Sequence, residues 1–341
     1  MISIGIIGGT GYTGKWLVGF CNNHPFIQKI HIYGKGSAGK FLLDIFPELN
    51  NEVENVQIKN ISELSFDHDV YFIALPHGES LKYVPELFKA GKVIIDLGGD
   101  FRLNDEKKYE EWYNFKHTSP ELLNEKVYGL ADYSSSYHED KKLIANPGCY
   151  PTSVLLALLP IVENFSKDIL SISVSAYSGT SGAGKSAKQE LMLSEMFGNV
   201  SAYKLNKHQH QPEILQQLNL AGFNSPFSFA THLLPVSTGI YATSFIHLNN
   251  EADEDEINNV FKTKYEKSPF IRLRQNPPKL NHVVNTNYCD INISINDKTV
   301  IVTSAIDNLI KGAAGQAVQN LNKYYGWDET LSIKKNGVEV V

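Results

Sequence analysis

Cysteine is scarce here, with only Cys21, Cys149 and Cys289 in 341 residues and no C-x-x-C spacing. That leaves no disulfide framework, and a reduced, cytoplasmic setting is expected. Long apolar runs are missing as well. None approaches the roughly 18 residues that a membrane helix requires. Met1 leads directly into a strand-like run, so no signal peptide is expected. Positive charge is in short supply: the net charge is −6 and there is no basic stripe. This argues against a general nucleic-acid binder. No internal repeat and no low-complexity tract is found. What remains is 42% hydrophobic and 20% charged, the composition of an ordinary globular protein, and the length predicts two domains.

The most informative stretch is Ala145-Asn146-Pro147-Gly148-Cys149-Tyr150-Pro151-Thr152. The run Lys142–Ala145 enters it as a strand, and the apolar run Val154–Leu159 leaves it as a helix. Cys149 therefore sits at a strand-to-helix turn, where backbone N–H groups favour thiolate over thiol. An arbitrary cysteine is more often a buried structural residue. This one is flanked by turn residues rather than core periodicity, and it reads as a nucleophile.

At the amino end, Ile2–Ile7 is a buried strand followed by Gly9-Thr10-Gly11-Tyr12-Thr13-Gly14 and a helix. That is G-x-G-x-x-G in its proper setting, a loop that brings backbone N–H groups up to a pyrophosphate. The second strand, Lys29–Tyr33, lacks the acid that usually holds ribose hydroxyls, with none before Asp44. Lys35, Ser37 and Lys40 stand there instead and suit a 2′-phosphate, so NADP(H) is the expected cofactor. The strands Asp69–Leu75 and Val93–Leu97 continue the alternation with helices, which predicts a doubly wound parallel sheet of the Rossmann type. His77 and Arg102 follow strand ends, where such sheets bind ligands. His77 is a candidate for the cofactor, and Arg102 for a phosphate.

After Cys149 the pattern becomes alternating, as in 169–176, 239–246 and 290–295. A mixed or antiparallel sheet with helices on one face follows. The expected fold is thus α/β, a parallel N-terminal sheet plus an α+β domain. The expected boundaries are 1–148 for the dinucleotide domain and 149–307 for the second. A C-terminal helix within about 308–341 is expected to return to the first domain, with Cys149 at the junction.

Gly179-Thr180-Ser181-Gly182-Ala183-Gly184-Lys185-Ser186 fits the P-loop pattern and, taken literally, predicts an ATPase. The better-placed N-terminal loop and the alternating strands argue against that reading. Ser178, Ser181 and Lys185 remain candidates for holding a phosphate. Lys207-His208-Gln209-His210-Gln211-Pro212-Glu213 carries two histidines that face opposite ways if the backbone is extended, with Glu213 placed to orient His208. A third metal ligand is lacking nearby, so no metal is expected. An acid/base role fits beside a thiolate.

Taken together, these blocks resemble the N-acetyl-γ-glutamyl-phosphate reductases of arginine biosynthesis. The blocks that carry the resemblance are Gly8–Gly14, Ser37–Lys40, Leu75–Gly78, Asp100–Arg102, Asn146–Thr152, Ser178–Gly184, His208–Glu213 and Asp307–Ala317. A wider resemblance is to aspartate-semialdehyde dehydrogenase. Members commonly have Arg where this chain has Gln209. The resemblance implies that Cys149 attacks an acyl phosphate, expels inorganic phosphate and forms a thioester that NADPH reduces. It implies His208 as general acid/base with Glu213 orienting it, and His210 as a substrate contact. Gly179 and Gly182 would lie close to the cofactor and Asn308 near the nicotinamide, with Asn146 at the substrate. It also implies a homo-oligomer, dimer or tetramer, with the second domain mediating dimerisation. An N-succinyl substrate, or one a methylene longer, stays open, because one methylene is worth only about 1–3 kcal/mol in a pocket.

Overall fold

The computed structural model describes residues 1–134, 137 and 140–333. The last residues of the expected C-terminal segment, 334–341, lie outside the described residues. The chain divides into two units, Met1–Pro147 together with the segment from Ala313, and Gly148–Gly312.

In the first unit, seven strands pair wholly in parallel. They are β1 (Ile2–Ile7), β2 (Ile27–Gly34), β3 (Lys59–Asn60), β4 (Val70–Ile73), β5 (Val93–Asp96), β6 (Lys126–Tyr128) and β7 (Leu143–Ala145). Their order is β3-β2-β1-β4-β5-β7-β6. The expected doubly wound sheet is therefore present. β4, β5 and β7 are buried along their whole length, which explains why they read as unbroken apolar runs. The order reverses between β1 and β4, and the carboxyl ends of these two strands frame the crevice where such sheets bind ligands.

The second unit holds a mixed sheet. Its strands are β8 (Ile169–Ser178), β9 (Ser201–Tyr203), β10 (Phe227–Leu233), β11 (Ile240–Leu248), β12 (Ile271–Leu273), β13 (Cys289–Asn296) and β14 (Thr299–Ile306). The order is β12-β13-β14-β11-β8-β10-β9. β10 runs parallel to β8 and β12 parallel to β13, and the remaining pairs are antiparallel. The helix Cys149–Phe165 lies on one face of this sheet, with Ser153 Oγ 2.8 Å from Ser304 Oγ. The helix is buried without a break from Tyr150 to Val162, as an all-round apolar helix must be. Pro160 lies inside it and cannot donate to Leu156 O. Tyr265 Oη donates to that carbonyl instead, at 2.6 Å.

Candidate active site

The cofactor mouth is built within the first unit. Gly8 leaves β1 with φ 85°, and any β-carbon there would run into Ala74 O at the end of β4. Gly14 packs so closely on the loop that its β-carbon would lie 2.5 Å from Gly9 Cα. The helix Tyr12–Asn22 begins at Gly11, which has no side-chain cap, and no acid occupies its first turn. Its first turn thus brings no carboxylate of its own to the first N–H groups, the arrangement that receives a pyrophosphate. Ser37 donates to Thr10 Oγ1 at 3.3 Å, which joins the loop after β2 to the glycine loop. Lys35 and Lys40 are exposed on that same loop. These residues fit a phosphorylated dinucleotide.

His77 lies in the exposed loop after β4, where its Nδ1 accepts the Gly99 N–H at 3.0 Å and its ring meets the edge of Tyr113. The loop is pinned by Asp100, which accepts from Gly78 N, Ser80 N and Ser80 Oγ. Fully buried Asp96 lies beside it, and burial together with the Asp100 charge holds its carboxyl well above the usual range.

Two candidate residues of this unit engage the protein's own groups. Arg102 is buried and clamps backbone: Nε donates to Asn146 O at 2.9 Å and Nη2 to Leu97 O at 2.7 Å. Two of its five N–H donors are thereby used on backbone carbonyls. Asn146 is fully buried, its amide donating to Ala313 O and accepting from Asn320 Nδ2 at 3.0 Å. It bridges the end of β7 to Ala313 and Asn320.

The nucleophile site is built within the second unit. Cys149 is the first residue of its helix, partly exposed, whereas Cys21 and Cys289 are buried. Burial pushes the Cys21 thiol far up. Gly148 caps the helix without a side-chain bond, and its N–H donates to Glu213 Oε1 at 2.8 Å. The helix His210–Leu220 packs here. A β-carbon on Gly148 would touch the His210 ring, with Cδ2 and Cε1 both at 2.8 Å. Gln209 is helical at the cap of that helix, so the backbone is not extended. The two imidazoles do not face opposite ways, and their centroids are 4.8 Å apart. Glu213 Oε1 accepts the Gly148 N–H, and His208 Nδ1 accepts the His210 N–H at 3.1 Å. Gln209 accepts from Lys204 Nζ at 3.0 Å, which brings a cation to that position.

His208 packs edge-to-face on Tyr150, Tyr203 and Phe229. Tyr150 Oη and Tyr203 Oη are 3.1 Å apart. Burial pushes Tyr203 up to about 12, against the hydrogen bond from Tyr150, and burial together with the neighbouring Tyr203 pushes Tyr150 further still. Both phenols therefore stay protonated donors near the sulfur. Sequence reasoning gave neither tyrosine a role; the only signal was a hydroxyl-bearing Tyr150 within an apolar helix.

The Gly179 loop is placed differently from its motif. Thr180–Ala183 is a single 3-10 turn, and residues 182–190, including Lys185, are exposed. No helix begins at Lys185, the next α-helical turn being the four residues Leu193–Met196, so the phosphate cradle of a P-loop is not formed. Ser178 is buried and donates to Gly179 O. Asn308 ties the loop down: Nδ2 donates to Ser181 Oγ at 3.1 Å, and Oδ1 accepts Gly239 N–H at 2.6 Å. Gly182 stays close to Asn308. Among the described residues no three His, Cys, Asp or Glu side chains converge as a metal site, and no helix is long and apolar enough to cross a membrane.

A fold with a dinucleotide crevice and a cysteine heading a helix of a mixed-sheet unit defines the semialdehyde dehydrogenase class. Residues 3–140 match the model described as semialdehyde dehydrogenase, NAD binding domain, and residues 149–308 that of its dimerisation domain. Aspartate semialdehyde dehydrogenase II of Vibrio cholerae, solved with ASA, superimposes with a TM-score of 0.72 at 17% identity, covering 96% of this chain and 98% of that one. The Candida albicans enzyme solved with NADP gives 0.65 at 14%, covering 96% and 99%. Closer in sequence are proteins named N-acetyl-gamma-glutamyl-phosphate reductase. That of Shouchella clausii is 40% identical over 98% of both chains, and that of Pelotomaculum thermopropionicum 40% identical over 99% of both. The chain belongs to the N-acetyl-γ-glutamyl-phosphate reductase family.

Proposed function

We propose that this protein reduces N-acetyl-γ-glutamyl phosphate to N-acetylglutamate γ-semialdehyde with NADPH, releasing phosphate, in arginine biosynthesis. The observation that carries the reading is Cys149 at the first position of an uncapped helix, beside two packed imidazoles, in a chain of this family. The Cys149 thiolate attacks the acyl carbon; the C–S bond forms, the C–O bond to phosphate breaks, and phosphate leaves with the electron pair. The helix N–H groups stabilise the thiolate before attack. The Gly8–Gly14 loop and Ser37, Lys35 and Lys40 hold the dinucleotide, which when bound supplies hydride to the thioester carbon.

His208 serves as the acid/base group. With Nδ1 accepting a backbone N–H, its neutral form carries the proton on Nε2, an oriented donor for the developing oxyanion. Protonated Tyr150 and Tyr203 surround it and keep water out. His210 and Glu213 hold the Gly148 turn, and His210 contacts substrate from there.

Assembly as a homo-oligomer belongs to the same reading. Met192, Leu193, Phe197 and Val200, all more than half exposed in the second unit, are the surface that a second copy would cover. The test of function is phosphate-dependent NADP reduction with N-acetyl- and N-succinyl-glutamate semialdehydes side by side. Turnover that requires phosphate and prefers the acetyl compound is expected; turnover with neither compound overturns the reading.

A further inference from the structure

We infer that Gly312, carried on a π-helical turn, is the positioning residue that seats Cys149; this rests on the reading of Cys149 as nucleophile. Ile310–Ala314 is π-helical, and Gly312 N donates to Asp307 O at 2.8 Å, closing a wide turn over five residues. Such bulges are rare and concentrate at functional sites. This one is held from both sides. Fully buried Asp307 accepts from Leu309 N and Ile310 N through Oδ1 and from Asn285 N through Oδ2, at 2.8, 2.9 and 2.8 Å. Lys311 is fully buried, with Nζ 5.3 Å from the centre of the Phe270 ring.

What the bulge achieves is contact with the reacting residue. A β-carbon on Gly312 would lie 2.7 Å from Cys149 Cβ and 3.1 Å from its Cα. Real β-carbons do not approach so closely, so one of the two backbones would have to move. Cys149 has little room to retreat. It begins its helix directly after Gly148, whose N–H is bonded to Glu213 and whose other side meets the His210 ring. Pressure on Cβ therefore falls on χ1, the torsion that sets where Sγ points. Gly312 is not among the glycines with positive φ. Alanine is thus conformationally allowed there, and the substitution reports the contact alone.

The experiment is Gly312→Ala in the full-length protein, with folding checked by circular dichroism and Tm. Two rates are read: kcat and KM for the acyl phosphate, and iodoacetamide alkylation of Cys149 as a function of pH. The expected result is a loss in kcat on the order of 10²-fold, the cost of a displacement near 1 Å, with KM little changed. Alkylation should slow and its pH midpoint should move, because Sγ leaves the helix N–H groups. Unchanged kcat and alkylation, or a raised KM with both retained, overturns the inference. If Gly312→Ala does not fold, Asp307→Asn, which loosens the turn without adding bulk, is read by the same two rates and the same criteria. The outcomes also separate this inference from the function. A wild-type protein inactive on acyl phosphates, whose alkylation still slows in Gly312→Ala, would refute the proposed reaction and leave the role of Gly312 standing.

Discussion

The turns at Gly11 and Gly179 look alike in sequence, and they start alike in structure. Gly11 caps its turn at φ −79°, ψ 175°, and Gly179 at φ −65°, ψ 161°, each without a side-chain bond. After Gly11 the chain enters an 11-residue helix; after Gly179 it makes a four-residue 3-10 turn and runs on exposed. Only the first presents aligned N–H groups and a helix dipole to an anion. Gly148 is a third case, at φ −66°, ψ 157°, and it opens a 17-residue helix. There the favoured anion is a side chain of the protein itself. A glycine pattern therefore specifies a start, and the following ten residues decide whether that start binds anything.

The hardest blow to this comparison falls at the Gly148 turn. Cys149→Ser should abolish aldehyde formation, followed as NADPH oxidation with acyl phosphate. An alkoxide there forms poorly and leaves poorly, so a serine variant that still turns over would remove the reason for pairing that turn with Gly11. Next in size, His208→Asn should lower kcat by on the order of 10²–10⁴-fold, while His210→Asn should raise KM more than it lowers kcat. Steady-state kinetics on both variants decide the matter, and the opposite pattern exchanges the two roles. At the Gly11 turn the effect is smaller. Lys35→Ala and Lys40→Ala should each weaken NADPH by roughly 10- to 100-fold and leave NADH alone, since a charged hydrogen bond contributes about 1.5–3 kcal/mol. Calorimetric titration with both cofactors measures it, and an equal loss for NADH would detach the lysines from the 2′-phosphate. The smallest effect is expected at the Gly179 turn. No magnesium-dependent ATP hydrolysis should appear, leaving Lys185→Ala nothing to abolish. A phosphate-release assay that finds such turnover, lost in the variant, would make the two loops equivalents after all.

Most long strands were legible in the sequence, although the seven-residue β10 and the helix Glu254–Tyr265 were not. β1, β2, β4, β5, β8, β11, β13 and β14 read correctly, because four or more residues of apolar period or unbroken burial leave a pattern, and short β7 was legible because it enters the cysteine turn. β3, β6, β9 and β12 did not, since two or three residues show no period. The cysteine turn and the glycine loop were legible because a turn constrains residue type locally. Other parts depended on partners far away in the chain. Nothing near Asn146 tells that Asn320 will occupy its amide, or near Arg102 that backbone carbonyls will take its nitrogens. The geometry of the His208 block was not legible, because two residues of separation mean opposite faces only in a strand, and here the chain is already turning into a helix.

One feature of the first unit bears on how the protein is made. Its final helix, Gly315–Tyr324, supplies Asn320 to Gly129 O and Asn146 Oδ1, and Gln316 to the Ala131 N–H. Those groups lie just past the carboxyl ends of β6 and β7, at one edge of a sheet whose strands all precede residue 148. On the ribosome the whole second unit emerges before that helix does, a delay of roughly ten to thirty seconds at 5–20 residues per second. Throughout that interval the nascent sheet exposes an unfilled polar seam, so the first unit to be translated is the last to be completed.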